Sequence, residues 1–395
     1  MALRQASDHR EAMAPESVAI AALLHDVCKA DNYQFDSSNP YHILTLNDNR
    51  AKGHGERSVR ILERLGLAMS HEERMAIHWH MGEFELSSAW RKTWDAGAWR
   101  AYFEERKNQG DTRGPRRQVY ASTLMLVKRG RYHTASGGLV ELGRIVNPQA
   151  QADNVFVDHE ITLRPSLERN SGQVRIAVVN DDCLALARRL HATDPTDDIC
   201  VLNMASSRNP GGGVWGGAGA QEEYLFRCTD YYRFLYQYAN NFDPQAYHVQ
   251  RNAHHRYPLA PLYGGIYSHG VTVFRDTEAN GYALLDSPVR LNFVAVAAFH
   301  FNERCDAIPQ PYVEPTKDKI RLMLRLAANN GQRRLVLGAF GCGAFHNEPH
   351  HMAQLFRQVI HESEFQGLFT SISFAVIEDH NSTNNYTAFR DVLEG

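Results

Sequence analysis

The sequence has few cysteines, no strong excess of either charge and no long hydrophobic run. Its six cysteines form no close-spaced pair, which argues against a disulfide scaffold or a zinc ribbon and favours reduced thiols. The formal net charge of −3 provides no overall basic field for nucleic acid, so an anionic ligand must be bound locally. The apolar runs fall short of the ~20 residues of a membrane span, and the first ten residues lack the apolar core of a signal peptide. We therefore expect a cytoplasmic protein.

Charged and turn-forming residues are concentrated at 107–117, which predicts a domain boundary there and a solvated linker over Arg113 to Arg117. A chain of 395 residues is long enough for two domains. Residues 1–110 have a helical pattern, with a helix start at Ala14-Pro15-Glu16, and we expect them to form a small all-α domain.

The second part of the chain, 113–395, alternates strand-like and helix-like segments, which predicts an α/β layered domain with a mixed sheet. Its first segment, 113–170, is expected to form an accessory helix and hairpin that cap this sheet. The predicted strands are 174–180, 199–203, 264–274, 289–298, 334–340 and 371–377. The predicted helices are 182–191, 221–239, 315–329, 350–362 and 384–393.

Three consecutive glycines, Gly211 to Gly213, follow the predicted strand 199–203, and Gln221-Glu222-Glu223 opens the next predicted helix. Without Cβ atoms, the glycine backbone can lie flat against a ligand, and helix N-termini bind phosphate groups. Adjacent helical residues point about 100° apart, so Glu222 and Glu223 cannot both face one bond. The pattern predicts a site that holds an anionic sugar-phosphate and cleaves a glycosidic bond by acid–base catalysis.

Other interpretations of the glycine loop are weaker. Gly211-x-Gly213-x-x-Gly216 matches the dinucleotide fingerprint, but that fingerprint belongs on the first strand of its unit, and strand 174–180 comes earlier. No Gly-Lys-Ser/Thr follows, which excludes a Walker loop. A surface turn with solvated glutamates would explain the acidic pair but not the triple glycine. Arg227 lies four residues after Glu223, a spacing that allows an ion pair.

The triple glycine, a spacer of seven residues and Gln221-Glu222-Glu223 together resemble the motif of bacterial-type poly(ADP-ribose) glycohydrolases, a macrodomain-like family. The resemblance covers about 113–395 and includes, in the expected order, Asn180-Asp181-Asp182, Asn203 to Asn209, and Gly338 to Phe345. It implies a macrodomain-like α/β/α three-layer sandwich.

The same resemblance implies a reaction, the hydrolysis of the O-glycosidic bond at ribose C1″ of ADP-ribose. Glu223 resembles the catalytic acid/base, and Glu222 would bind a ribose hydroxyl. Gly211, Gly212 and Gly213 would pack against the scissile ribose. No metal or other cofactor is implied for this step.

The resemblance also implies the residues that hold the rest of the ligand. Backbone amides from Gly341 to Ala344 would wrap the diphosphate, Phe345 would position the terminal ribose, and Asp182 would accept a hydrogen bond from the adenine amine. The remaining candidate ligand-binding residues are Asn203, Asn209, Gln221, Cys342 and Gly343.

In the first domain, His25-Asp26 resembles the His-Asp core of HD-domain phosphohydrolases, and His54 and His80 sit where some of these proteins carry further metal ligands. Imidazole and carboxylate ligands suit a divalent Mn, Fe, Ni or Zn ion. The domain looks truncated, because no helix precedes it to supply an earlier histidine and only Asp95 stands in for the late aspartate. An active phosphohydrolase, an inactive metal-binding domain and a structural remnant all fit this pattern.

Two other functions remain open at this stage. The second domain could bind ADP-ribose without cleaving it, or the HD-like domain could be a metal-dependent nucleotide phosphohydrolase with the second domain as its sensor. The expected partner is ADP-ribose or an ADP-ribosylated macromolecule, with no membrane. Nucleic acid is expected only where it carries ADP-ribose, and the sequence does not indicate an oligomeric state.

Overall fold

A computed structural model describes residues 33–35, 44–46, 61–62, 94–142, 154–196, 198–240, 249–304, 306–378 and 384–395. The chain divides into two compact units, Met1–Thr93 and Trp94–Gly395. In the first unit, β1 (Tyr33–Phe35) pairs antiparallel with β2 (Leu44–Leu46), a hairpin that the all-α prediction did not include. The predicted metal ligands His25, Asp26, His54 and His80 lie outside the described residues.

The second unit begins with two helices, α1 (Ala96–Asn108) and α2 (Arg113–Arg129). Asp95 caps α1 by accepting a hydrogen bond from the Ala98 amide at 2.9 Å, which explains an aspartate at this position without a metal. The solvated linker predicted over Arg113 to Arg117 is wrong, because these residues form the first turn of α2. Pro115 is buried there, and the side chain of Arg116 is only 19% exposed.

A short hairpin follows α2, formed by β3 (Arg131–His133) and β4 (Leu139–Glu141). The seven strands of the main sheet lie in the order β5-β8-β9-β7-β10-β11-β6. Their bounds are β5 Asn154–Val157, β6 Arg175–Val179, β7 Ile199–Met204, β8 Gly265–Arg275, β9 Leu284–Val296, β10 Arg334–Leu337 and β11 Ser371–Ala375.

The sheet is mixed, as predicted. The strands β9, β7, β10, β11 and β6 run parallel, whereas β8 and β5 add an antiparallel edge beside β9. Every residue of β10 is buried, as are the first five residues of β7. Consecutive side chains of a strand point to opposite faces of the sheet, so a strand whose residues are all buried must be covered on both faces. The centre of the sheet therefore lies between two layers of structure.

Six helices accompany these strands along the described part of the chain. They are α3 Cys183–Thr193, α4 Gln221–Cys228, α5 Tyr232–Leu235, α6 Gln310–Asn329, α7 Pro349–Ile360 and α8 Asn385–Leu393. On one face of the sheet, the centre of the Phe356 ring lies 5.1 Å from that of Phe374 and 6.3 Å from that of Phe389. These ring contacts pack α7 and α8 against β11.

The single helix predicted over 221–239 is wrong, because Thr229 interrupts it. The Thr229 backbone is extended and forms an isolated bridge with Val273 of β8. Its hydroxyl donates to the Leu225 carbonyl at 2.7 Å and accepts from the Tyr231 amide at 3.1 Å. These two bonds pair backbone groups that a continuous helix would have paired itself. The helix α4 therefore ends before Thr229.

Among the described residues, no helix is long and apolar enough to cross a membrane. The cysteines in this part of the chain, Cys183, Cys200, Cys228 and Cys342, are buried free thiols.

Candidate active site

The candidate site lies where three parallel strands end. The glycine loop 205–220 joins β7 to α4, the second loop 338–348 follows the neighbouring strand β10, and Asp182 comes after β6. Since the carboxyl ends of parallel strands meet at one edge of a sheet, these segments share the edge at which α/β sheets bind ligands.

The first two of the three glycines are required by the protein's own packing. Gly211 and Gly212 have φ angles of +76° and +51°, in the left-handed region that favours glycine. A Cβ on Gly211 would lie 2.7 Å from the Phe226 ring. A Cβ on Gly212 would lie 2.5 Å from Oε1 of Glu223 and 3.1 Å from Oε2 of Glu222. Two carboxylates therefore approach the loop so closely that no side chain fits between them and the backbone.

Glu222 is buried and accepts hydrogen bonds from the protein at both oxygens. Its Oε1 accepts hydrogen bonds from the Gly211 amide at 3.1 Å and from Nδ2 of Asn203 at 3.4 Å, and its Oε2 accepts from the Ser206 amide at 2.7 Å. Burial raises the pKa of Glu222 to about 8, helped by the neighbouring charge of Glu223, although these three donors act in the opposite direction.

Glu223 has a different environment. Its Oε1 accepts a hydrogen bond from the Gly213 amide at 2.7 Å, whereas its Oε2 is buried and has no hydrogen-bond partner in the protein. A buried carboxylate oxygen without a partner is costly unless a ligand or water completes it. The two glutamates therefore differ: Glu222 accepts hydrogen bonds at both oxygens, whereas Oε2 of Glu223 has no partner in the protein.

The ion pair that the spacing of Glu223 and Arg227 allowed does not form. The Arg227 guanidinium is buried, donates from Nε to the Tyr282 hydroxyl at 2.8 Å, and donates from Nη1 to the Ala218 carbonyl at 2.8 Å. Its cation therefore supports the loop rather than neutralising the Glu223 carboxylate.

Two predicted ligand-binding residues join α4 to β7. Gln221 donates to the Leu202 carbonyl at 2.6 Å and accepts from the Met204 amide at 3.0 Å. Asn203 is fully buried beside Glu222. Asn209 lies in the turn before the glycines, where its carbonyl accepts from the Gly212 amide at 3.2 Å. Direct contacts of these three side chains with a ligand stay predictions.

The second loop presents open backbone at its tip. Gly343 and Ala344 are exposed, and a Cβ on Gly343 would meet no atom within 4 Å. Gly341 has a φ of +73° and no room for a Cβ, because Nδ2 of Asn347 would lie only 2.5 Å away. Cys342 is buried, and burial raises the pKa of its thiol. The tip, Gly343 and Ala344, can therefore offer amides to an anion, whereas the Cys342 amide already donates to the Ala339 carbonyl at 3.0 Å.

Asn347 holds this second loop in shape and was not identified from the sequence. Its Nδ2 donates to the carbonyls of Phe299 at 2.7 Å, Gly341 at 3.2 Å and Phe345 at 3.2 Å. The Phe345 ring lies edge-on to His300 with 5.2 Å between ring centres. An isolated asparagine after a glycine loop carries no pattern in the sequence that would distinguish it from a turn residue.

Asp182 caps α3 and also contacts α4. Its Oδ1 accepts hydrogen bonds from the amides of Leu184 and Ala185 at 2.9 and 3.0 Å and from the Tyr224 hydroxyl at 2.8 Å. Burial raises the pKa of Asp182, although these bonds oppose the shift. Tyr224, which the sequence analysis did not select, therefore links α4 to the strand end where adenine is predicted to bind.

The fold and this site define an α/β enzyme with a buried carboxylate pair under a glycine loop. A family model described as the catalytic domain of microbial-type PARG matches residues 121–276. The poly(ADP-ribose) glycohydrolase from Thermomonospora curvata is 32% identical, with 71% of this chain and 100% of that chain covered and a TM-score of 0.56. The chain belongs to the bacterial poly(ADP-ribose) glycohydrolase family.

Two further structures are similar. The Thermomonospora curvata enzyme bound to the inhibitor ADP-HPD is 32% identical, with 71% of this chain and 99% of that chain covered and a TM-score of 0.55. The poly(ADP-ribose) glycohydrolase from Deinococcus radiodurans in complex with ADP-ribose is 34% identical, with 57% and 86% covered and a TM-score of 0.44. No curated protein matches the chain.

The contact between Gly212 and the carboxylates generates a prediction. Gly212→Ala should reduce turnover at least about 10-fold, because a displaced catalytic group costs reactivity, while the left-handed backbone costs only about 1–3 kcal/mol of stability. Gly216→Ala is the matched control, since a Cβ there would meet no atom within 4 Å. Rates of ADP-ribose release and thermal unfolding are measured for both variants. Equal turnover in the two variants would show that the triple glycine is only a turn.

The raised pKa of Glu222 generates a second prediction. A carboxyl whose pKa rises from 4.5 to about 8 on folding contributes stability below pH 4.5 that is lost as the pH rises towards 8. The free energy of unfolding should therefore fall less from pH 5 to pH 8 in Glu222→Gln than in the wild type. Denaturant unfolding at both pH values measures this slope, with Glu362→Gln as control. An unchanged slope in Glu222→Gln would contradict the burial argument.

Proposed function

We propose that the chain hydrolyses the O-glycosidic bond at ribose C1″ of ADP-ribose units in poly(ADP-ribose) or ADP-ribosylated substrates, with Glu223 as the proton-transfer group. The observation that carries this proposal is the asymmetry of the glutamate pair. Glu223 has one oxygen held by the Gly213 amide and one buried oxygen without a partner, while both oxygens of Glu222 are occupied. The membership of the chain in the glycohydrolase family supports it.

The reaction begins with Glu223 in its acid form. Its proton passes to the leaving oxygen as the bond from C1″ to that oxygen breaks, and the ribose develops an oxocarbenium-like centre. The resulting carboxylate then takes a proton from water while the water oxygen bonds to C1″. One water is consumed and the acid form of Glu223 is restored, so the cycle needs no further acid or base.

The remaining site residues hold the ligand in this proposal. Glu222 binds a ribose hydroxyl through lone pairs that its three donors leave open, and the glycine backbone packs against the scissile ribose. The amides of Gly341 to Ala344 bind the diphosphate, Phe345 positions the terminal ribose, and Asp182 accepts from the adenine amine. The exposed tip of the second loop, where Gly343 has no Cβ, supports the diphosphate assignment, because backbone amides bind anions without a lysine.

A binding module without catalysis would need the same ligand contacts but no available acid. Oε2 of Glu223 is buried and has no partner in the protein, while Oε1 is held by the Gly213 amide, which is the arrangement that a proton-transfer group needs. This observation favours the hydrolase over the binding module.

The role of Glu223 can be tested by replacing it with its isostere. In Glu223→Gln, the amide oxygen still accepts from Gly213, but the transferable proton is lost. Release of ADP-ribose from the polymer should fall about 100- to 10,000-fold, while calorimetry should show an ADP-ribose affinity within about 3-fold of the wild type.

The control for this test is Glu362→Gln, because Glu362 follows the far end of α7 and pairs with Arg321. We expect wild-type turnover from it. If Glu223→Gln retains near-normal turnover, the proton is transferred by Glu222 or by another group, and the assignment of Glu223 is wrong.

We further propose that glycosidic cleavage needs no metal. No group of three or more potential metal-ligating side chains occurs in the described part of the chain. A divalent metal bound in 1–110 by His25, Asp26, His54 and His80 would act in a different reaction, the hydrolysis of a phosphate ester, where a cation activates water.

Chelation separates these two activities. Release of ADP-ribose by the full chain should persist in excess chelator and in the double variant His25→Ala with Asp26→Ala, whose bound metal is measured by elemental analysis. Cleavage that stops with chelator and returns with added divalent metal would contradict the proposal and assign the glycosidic reaction to a metal site.

A further inference from the structure

Arg116 lies in the first turn of α2, before the region that the family model matches. Its guanidinium donates from Nε and Nη2 to the two oxygens of Glu278, both at 2.8 Å, which is the bidentate geometry of a strong arginine–carboxylate pair. The pair holds the pKa of Arg116 above its ordinary value, although burial acts against this shift. The position of the Arg116 guanidinium is therefore fixed by its pair with Glu278.

This cation lies directly against the glycine loop. A Cβ on Gly219 would lie 2.4 Å from Nη1 of Arg116, so the guanidinium occupies the space that a side chain at 219 would need. Two residues earlier, a Cβ on Gly217 would lie 2.1 Å from the Arg113 carbonyl, and Gly217 has a φ of +71°. The start of α2 is therefore in close contact with the segment 217–219, which immediately precedes the catalytic helix.

A second arginine holds the same segment from the other side. Arg227 of α4 donates to the Ala218 carbonyl and to the Tyr282 hydroxyl, and that hydroxyl donates to Oε2 of Glu278 at 2.8 Å. Arg116, Glu278, Tyr282 and Arg227 thus form a continuous polar network around Ala218. The network has two cations and one carboxylate, so it carries an excess positive charge. Glu223 lies near this charge, and its carboxylate contributes to the raised pKa of Arg116.

The held segment contacts Gly213, the residue whose amide binds the Glu223 carboxylate. The Ala218 amide donates to the Gly213 carbonyl at 3.2 Å, and a Cβ on Gly213 would lie 3.0 Å from the Cβ of Ala218. Gly213 in turn donates its amide to Oε1 of Glu223 at 2.7 Å. A shift of 217–219 would therefore move Gly213 and change the orientation of the carboxylate.

We propose that Arg116 is a positioning residue for the reaction: it fixes the segment 217–219 and, through Ala218 and Gly213, the orientation of the Glu223 carboxylate. The inference rests on the proposed function, because it takes Glu223 as the catalytic group. Among the described residues, Arg116 makes no hydrogen bond to Glu223, so it acts on this carboxylate through the position of the loop and through its nearby charge.

The test compares Arg116→Gln with Arg321→Gln in the full chain. Arg321 of α6 makes the same bidentate pair, with Glu362 at 2.9 and 2.7 Å, at the other end of α7 from the site loop. Arg116→Gln should lower kcat for ADP-ribose release about 10- to 100-fold, with KM and ADP-ribose affinity within about 3-fold of the wild type. Arg321→Gln should keep the wild-type kcat, whatever its melting temperature.

Arg116→Lys adds a conservative variant. Lysine keeps the charge but not the bidentate fork, so its kcat should lie between those of Arg116→Gln and the wild type. If Arg116→Gln shows no cooperative unfolding transition, the lysine variant carries the test: a kcat below wild type at unchanged affinity supports the inference, and a wild-type kcat overturns it.

The outcomes also separate this inference from the proposed function. If the wild type hydrolyses the substrate and Arg116→Gln has the same kcat, only the positioning role is overturned. The same holds if Arg321→Gln loses as much kcat as Arg116→Gln. A wild type that binds ADP-ribose without hydrolysis overturns both.

Discussion

The approach of two buried carboxylates to one stretch of backbone is the constraint on which the site depends. Burying a carboxylate costs several kcal/mol unless hydrogen bonds replace its water. Here the amides of Ser206, Gly211 and Gly213 supply those bonds, at 2.7 to 3.1 Å. A Cβ on Gly212 would lie 2.5 Å from Oε1 of Glu223, and a Cβ on Gly211 would lie 2.7 Å from the Phe226 ring, so contacts inside the protein explain these two glycines. A ligand that packs on the same loop meets a surface already shaped by Glu222 and Glu223.

The sheet supplies the rigidity that this arrangement needs. β7 is buried along nearly its whole length, so the start of the glycine loop cannot move independently of the core. Gln221 then attaches the first turn of α4 back to the end of β7 through two backbone hydrogen bonds. The loop therefore has fixed ends on one strand and one helix, and the short distance between those ends limits how far the carboxylates can shift.

The parts of the fold with strong local patterns were predictable, and those decided by tertiary contacts were not. The mixed sheet followed from apolar runs and alternation, and the glycines with the two glutamates marked the site. The break at Thr229 could not be predicted, because it depends on a bridge to Val273 in a distant strand. Arg116 looked like part of a charged linker, since its partner Glu278 is 162 residues away in the chain. Tyr224 was missed for the same reason, since its partner Asp182 is 42 residues away. Asn347 was missed because a single asparagine beside a glycine loop has no distinguishing pattern, although two of its three acceptors are close in the chain.

The network around Ala218 changes how the accessory helices are understood. Were α1 and α2 only a cap on the sheet, their contacts would be apolar and tolerant of substitution. Instead, the Trp94 indole donates to the Gly281 carbonyl at 2.8 Å, and a Cβ on Gly281 would lie 2.3 Å from the Ala96 carbonyl. These contacts hold the segment that carries Glu278 and Tyr282, and through it both arginines beside the glycine loop. Contacts made through hydrogen bonds and close backbone approaches allow little displacement, so the accessory helices belong to the framework around the glycine loop and the proposed proton-transfer group, Glu223.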